Sequence, residues 1–183
     1  LVNQKIHVDI FSSKKIIKPN NSRTVGITKS NVEYFNSNII NLKKIGWKLD
    51  KIEIFSEHLK NEKILNFKNN KEQLFSIFKN DELYKYLEKI FLKNKFFKKK
   101  YTEKFSLLSS EYDLVFNTNY VNFFTNKYFS NRTLKRYNSF AYTTIIKHEK
   151  TFNRTAIQIF TKFGPLAFLP ISDNETSIVY SLN

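Results

Sequence analysis

The chain has 183 residues, of which 41% are hydrophobic, and its formal net charge at pH 7 is +15. Cysteine is absent, which excludes disulfides, thiolate metal sites and cysteine nucleophiles. The length fits one domain or two small interleaved ones, and no apolar run is long enough for a membrane-spanning helix.

The first half of the chain predicts strands that alternate with helices. Apolar, β-branched residues over 5–11 predict a buried strand, and Ser30 followed by Glu33 predicts a helix that begins with a capping box. Gly46 is expected to end that element. Helical spacing of apolar residues predicts a second helix over 81–92. Apolar patterns with turn residues between them predict three further strands, over 51–55, 63–67 and 73–78.

A basic and aromatic segment follows over 94–101. Aromatic rings among lysines are typical of surfaces that stack bases and neutralise phosphates, and also of a short edge strand with solvated lysines. The charge of the whole chain has the same two interpretations: a polyanion partner, or compositional drift in which lysine far outnumbers arginine. We favour the edge strand and the drift.

The second half of the chain predicts mainly strands. A compact apolar run over 112–116 predicts one strand, and the polar tetrad 172–175 predicts a hairpin loop between two others. With those two, four strands are predicted after 112–116, over 142–146, 155–160, 166–171 and 177–182. The three histidines are isolated, and the sequence has no P-loop or G-x-S-x-G motif, so neither a metal site nor a nucleophile is predicted.

The end of the chain carries the strongest resemblance to a known family. It reads R-T-A-I-Q-I-F over 154–160, G-P-L-A-F-L-P-I-S-D over 164–173 and T-S-I-V-Y-S-L over 176–182. This series resembles the G-P-L-A-x-L-P-L-S-D…S-x-V-W-S stretch of the FAD-dependent hydroxylases of ubiquinone biosynthesis, the UbiH and VisC group. These enzymes are flavoprotein monooxygenases similar to para-hydroxybenzoate hydroxylase.

Two further segments are similar to parts of the same family. Residues 8–11, followed by 22–28, resemble its second Rossmann strand and the arginine-containing segment after it. Residues 112–116, followed by 117–122, resemble the strand that leads into its Asp-Gly motif.

The resemblance implies an α/β fold in which a partial FAD-binding Rossmann-like module is interleaved with a mixed β-sheet substrate module. We expect the FAD-binding module over 1–41 and 79–132, and the substrate-side module over 42–78 and 133–183. In dinucleotide folds the glycine loop precedes the ribose-binding acid by about 20 residues. That loop is therefore expected upstream of Leu1.

The resemblance also implies site residues. The expected cofactor-binding residues are Ser12, Arg23, Asn80 and Asn119, and the expected substrate-binding residues are Gln158, Phe168 and Pro170. Ser12 stands where the family has the ribose-binding acid, and Asn119 with Tyr120 stands where it has Asp-Gly. Asp81 stands where an arginine is usual.

The implied activity is hydroxylation of an aromatic ring of a ubiquinone precursor, with FAD as cofactor and NAD(P)H as reductant. Because the flavin supplies the chemistry, no catalytic side chain and no metal is expected, and the isolated chain is expected not to turn over. The expected partners are a lipid-like quinone precursor and other quinone-biosynthesis proteins, without nucleic acid. We expect a cytoplasmic location, with peripheral contact to the inner membrane.

Two alternatives from other functional classes stay open. The first is a nonenzymatic basic module that binds RNA or anionic lipid, with an affinity that falls steeply with salt. The second is a flavin-free accessory protein of quinone biosynthesis, which would fold without a cofactor and bind a specific partner.

Overall fold

The computed structural model describes residues 1–12, 20–59, 62–68, 73–102, 112–119, 121–129, 131, 133 and 135–182. It combines α-helices with β-sheets, as the sequence predicts. The helices are α1 (Lys29–Asn38), α2 (Asn80–Phe91) and α3 (Phe123–Tyr128). The strands are β1 (Val8–Ser12), β2 (Thr24–Thr28), β3 (Trp47–Leu49), β4 (Lys51–Ser56), β5 (Glu62–Lys68), β6 (Phe75–Lys79), β7 (Phe97–Tyr101), β8 (Phe140–Lys147), β9 (Thr155–Thr161), β10 (Gly164–Pro170) and β11 (Glu175–Leu182).

The chain divides into two compact units that are interleaved in sequence. Unit 1 comprises Leu1–Ile17 and Leu92–Tyr137, and unit 2 comprises Lys18–Phe91 and Asn138–Asn183. The assignment of residues to an FAD-binding and a substrate-side module stays a prediction.

Unit 2 contains two sheets, one of six strands and one of three. The six-stranded sheet has the order β5-β4-β9-β10-β11-β8, in which only β4 and β9 run parallel to each other. The three-stranded sheet has the antiparallel order β2-β6-β3. Ala156 and Ile171 lie on the inner face of the larger sheet and pack against Leu49 and Ile77 of the smaller one.

The opposite face of the three-stranded sheet packs against α1 and α2. Phe78 follows Ile77 in β6 and therefore points to the other side of the sheet, because side chains alternate along a strand. There it forms a second core with Val32, Ile40 and Leu42. Unit 2 is thus built of three layers: two helices, a small sheet and a large sheet.

Unit 1 contains a two-stranded parallel sheet and the short helix α3. Strand β1 pairs with β7 in a register that runs from Val8 opposite Phe97 to Ser12 opposite Tyr101. Parallel strands end at the same edge, so Ser12 and Tyr101 mark the carboxyl edge of this sheet.

Helix α1 begins and ends elsewhere than the sequence predicts. Its N-cap is Thr28, not Ser30: Thr28 is extended at the end of β2, and its side chain accepts a hydrogen bond from the Asn31 N–H at 3.3 Å. The helix ends at Asn38, well before Gly46. The side chain of Asn36 accepts from the Leu42 N–H at 2.8 Å, which stabilises the early turn that brings Leu42 into the core.

The strand predicted over 112–116 is wrong. None of these residues pairs with a strand in the described part of the chain, and Leu114 and Phe116 are 68% and 72% exposed. An apolar run forms a strand only where a neighbouring strand satisfies its backbone groups. By contrast, the predicted strands over 51–55, 63–67, 73–78 and in the final third of the chain are confirmed, with small shifts at their ends.

Candidate cofactor-binding site

Arg23 and Asn80, two of the predicted flavin contacts, lie side by side in unit 2. Arg23 directly precedes β2, and Asn80 begins α2 directly after β6. The two strands pair with Thr24 opposite Lys79, so the residues next to that pair meet at one corner of the sheet. The Asn80 backbone N–H donates to the Arg23 carbonyl oxygen at 2.9 Å.

This corner offers an exposed cation beside a helix N-terminus. The Arg23 side chain is exposed and makes no ion pair with a described residue. The first N–H groups of α2 have no partners within the helix, and the helix dipole favours negative charge there. The first turn holds two carboxylates: Asp81 is buried and paired with Lys85 at 3.0 Å, and Glu82 lies 3.8 Å from Lys79. The guanidinium and the helix end together suit a phosphate or a carboxylate.

An ion pair holds this corner in place. The Lys79 Nζ lies 2.7 Å from the Glu175 Oε2, and the two side chains are only 24% and 20% exposed. The hydrogen bond with Glu175 raises the pKa of Lys79, and the same contact lowers the pKa of Glu175. Both groups therefore stay charged near neutral pH, and the pair links the end of β6, directly before Asn80, to β11.

Ser12 lies where the sequence places it, at the carboxyl end of β1 in unit 1. Its carbonyl oxygen accepts a hydrogen bond from the Thr102 N–H at 3.1 Å, just beyond the end of β7. In open parallel sheets, ligands bind outside the carboxyl ends of the strands.

The same sheet carries a cluster that sequence reasoning missed. Lys100 Nζ lies 2.7 Å from the Asp9 Oδ2, and the Tyr112 hydroxyl donates to that same oxygen at 2.6 Å. The hydrogen bond from Lys100 and then that from Tyr112 lower the pKa of Asp9, while Asp9 raises the pKa of Lys100 and of Tyr112. The Tyr112 hydroxyl thus donates to Asp9 and accepts from the Lys100 Nζ at 3.1 Å. Only the parallel pairing of β1 with β7 brings Asp9 near Lys100.

Asn119 is engaged in a local turn before α3. Its side-chain oxygen accepts from the Val121 N–H at 3.0 Å, and its carbonyl oxygen accepts from the Thr125 hydroxyl at 2.5 Å. Asn122 caps the helix by accepting from the Thr125 N–H. Tyr120, which stands where the family has glycine, lies outside the described residues.

The three predicted substrate contacts do not share one face of the six-stranded sheet. Gln158 pairs with Ala167 and points to the inner face, whereas Phe168 pairs with Ile157 and points to the outer face, as does Pro170. Pro170 is fully buried. A ligand on the outer face would therefore meet Phe168 but neither of the other two.

The outer face has a concavity of about 420 Å³ farther along β9. It is lined by Ile159 and Thr161 of β9, by Phe163 in the turn before β10, by Tyr180 of β11 and by Glu57, which directly follows β4. Among the described residues, no group of three or more acidic or histidine side chains is arranged to hold a metal ion.

Comparison with known proteins does not assign a family. No family model matches the sequence, and no curated protein gives a significant match.

Proposed function

We propose that this chain is part of an FAD-dependent hydroxylase that acts on an aromatic ring of a lipid-like quinone precursor, with NAD(P)H as reductant. The contact between Arg23 and Asn80 carries the proposal. These residues come from distant segments, both were expected beside the flavin, and their backbones are hydrogen-bonded.

Two other features support the proposal. Residues 164–182, the part of the terminal motif that most resembles the family, form the hairpin of β10 and β11 inside the six-stranded sheet, which suits the expected substrate-side module. In unit 1, Ser12 ends a strand of a parallel pair, as expected for the strand that binds the ribose of a dinucleotide.

The residues of the Arg23 corner fit an anionic cofactor. When bound, FAD would supply the oxygen chemistry. Arg23 would neutralise negative charge on the cofactor. The N–H groups of the first turn of α2 beyond Asn80 would hold an oxygen atom in place, since the Asn80 N–H donates to Arg23. Asn80 would contribute its side-chain amide.

Replacement of Arg23 by alanine is expected to weaken FAD binding by roughly 10- to 100-fold, the usual cost of a lost charge-assisted hydrogen bond. The measurement is quenching of FAD fluorescence on titration with the full chain. Arg154→Ala is the matched control, because Arg154 is a partly exposed arginine of the same unit that pairs with Asp50. Equal affinity in both variants would contradict the proposal.

The distribution of charge favours a second candidate function, binding to an anionic membrane surface. Unit 1 holds 13 of the 31 lysines and arginines but only 4 of the 16 acidic residues, so it carries +9 of the net charge of +15. It also exposes aliphatic side chains, among them Leu114 and Val121. Lys127 lies over the rings of Phe123 and Tyr128. In the described residues, no helix is long and apolar enough to cross a membrane.

Aliphatic side chains favour lipid over RNA as the partner. Leucine and valine cannot stack on bases, but they can enter the boundary between head groups and acyl chains while neighbouring lysines meet anionic lipids.

We expect the protein to sediment with vesicles rich in phosphatidylglycerol, to stay free of phosphatidylcholine vesicles, and to be released between about 0.1 M and 1 M salt as the Debye length shrinks. Lys127→Glu should reduce binding more than Lys89→Glu, an exposed position in unit 2. Equal binding to both kinds of vesicle, or preference for a single-stranded RNA competitor, would count against a lipid surface.

A further inference from the structure

A small pocket in unit 2 lies between α1 and the sheet formed by β3 and β6. Its volume is about 290 Å³, slightly below the range of about 300–1,000 Å³ that is usual for ligand sites. Its apolar wall consists of the buried side chains of Val32 and Leu42. Both belong to the core that also contains Phe78, so this wall is held by dense packing.

The charged groups around the pocket are mainly cationic. Lys29, Lys43 and Lys48 line it, against a single carboxylate, that of Glu33. The Glu33 Oε1 lies 3.7 Å from the Lys29 Nζ, so this carboxylate mainly neutralises the charge of Lys29. Neither Lys43 nor Lys48 makes an ion pair with a described residue. The pocket therefore has an excess of positive charge that an anion would neutralise.

The neutral polar groups of the pocket also favour an acceptor ligand. The Asn36 side-chain oxygen already accepts from the Leu42 N–H, which leaves the amide N–H groups of Asn36 to donate. Gln73 donates to the hydroxyl oxygen of the buried Ser76 at 3.2 Å, which leaves the Ser76 hydroxyl hydrogen to donate. Asn36 and Ser76 both line the cavity together with the lysines.

We propose that this pocket binds a small organic anion, either a carboxylate or a phosphate monoester, with a short apolar group that rests on Val32 and Leu42. Lys43 and Lys48 would pair with the anionic end, and Asn36 and Ser76 would donate hydrogen bonds to it. The volume is too small for a dinucleotide, so this site is separate from the flavin contacts proposed at Arg23.

The test is a titration of the full, isotope-labelled chain with butyl phosphate and with inorganic phosphate at constant ionic strength, followed by amide chemical shifts. Saturable shifts are expected in α1 and β6, with tighter binding of butyl phosphate, because only its chain covers the apolar wall. The double variant Lys43→Ala/Lys48→Ala should weaken binding at least about tenfold, which corresponds to about 1.4 kcal/mol. Both lysines are exposed, so the variant is expected to fold.

Lys68→Ala/Lys89→Ala is the control, since it removes two exposed lysines of the same unit, one in β5 and one in α2, away from the pocket. Equal weakening in both double variants would show general attraction to a basic protein and overturn the proposal, as would shifts that do not saturate. FAD binding should be unchanged in Lys43→Ala/Lys48→Ala. Failure of the pocket and failure of the flavin proposal are therefore separable.

Discussion

Replacement of Gly164 by alanine is expected to lower the free energy of unfolding by more than about 3 kcal/mol, beyond the usual cost of a strained backbone. Gly164 begins β10 with a φ of 139°, a conformation that residues with a Cβ rarely adopt. A Cβ atom at this position would lie only 2.0 Å from the Ser181 carbonyl oxygen. Because the obstacle is backbone in β11, it cannot rotate away. Urea-induced unfolding followed by circular dichroism measures the loss.

Gly26→Ala is the matched control in the same unit. A Cβ there would lie 3.3 Å from the end of the Ile77 side chain, which can shift by a small amount. We expect a change within about 1 kcal/mol. If Gly26→Ala lowered the free energy of unfolding as much as Gly164→Ala, the clash with β11 would not explain the loss at Gly164.

Replacement of Phe78 by alanine is expected to lower the free energy of unfolding by about 3–5 kcal/mol, as is usual for a large aromatic side chain in a packed core. Phe78 is 1% exposed and belongs to the core between α1, α2 and the three-stranded sheet. Its ring also fills the space that a side chain at position 46 would need, since a Cβ on Gly46 would lie 2.6 Å from it. The truncation would therefore leave a cavity that α1 cannot close. Thermal and urea unfolding both measure the effect.

The comparison variant is Phe152→Ala. Phe152 is 81% exposed, and its ring contacts the Arg154 guanidinium. Its removal should change the unfolding free energy by no more than about 0.5 kcal/mol. Similar losses for both phenylalanines would mean that the helices are not packed on β6 as described.

The residues of the terminal motif have structural roles in the six-stranded sheet. Gly164 relieves strain at the start of β10, while Pro170 and Ser177 are fully buried where β10 and β11 pair. Asp173, in the loop between these strands, pairs with Lys150 at 2.9 Å. The motif residues therefore stabilise the sheet, and the cofactor contacts that we propose lie elsewhere, at Arg23 and the start of α2.

The sequence by itself determined the elements whose signals are local. Alternation along 51–55 predicted β4, the apolar pattern over 63–67 predicted β5, and helical spacing predicted α2, because each of these signals lies within its own segment. The turn residues at 172–175 predicted the last hairpin for the same reason. The location of Ser12 at the end of a strand was also predictable from its own neighbours.

Only the tertiary structure decided the features that depend on distant partners. Thr28 caps α1 because β2 ends there, and residues 112–116 form no strand because none of the described strands pairs with them. Strand register, which a short apolar pattern does not encode, sets Gln158 and Phe168 on opposite faces and brings Asp9 to Lys100. The meeting of Arg23 with Asn80 likewise requires the pairing of β2 with β6, since it joins backbone groups that are distant in sequence.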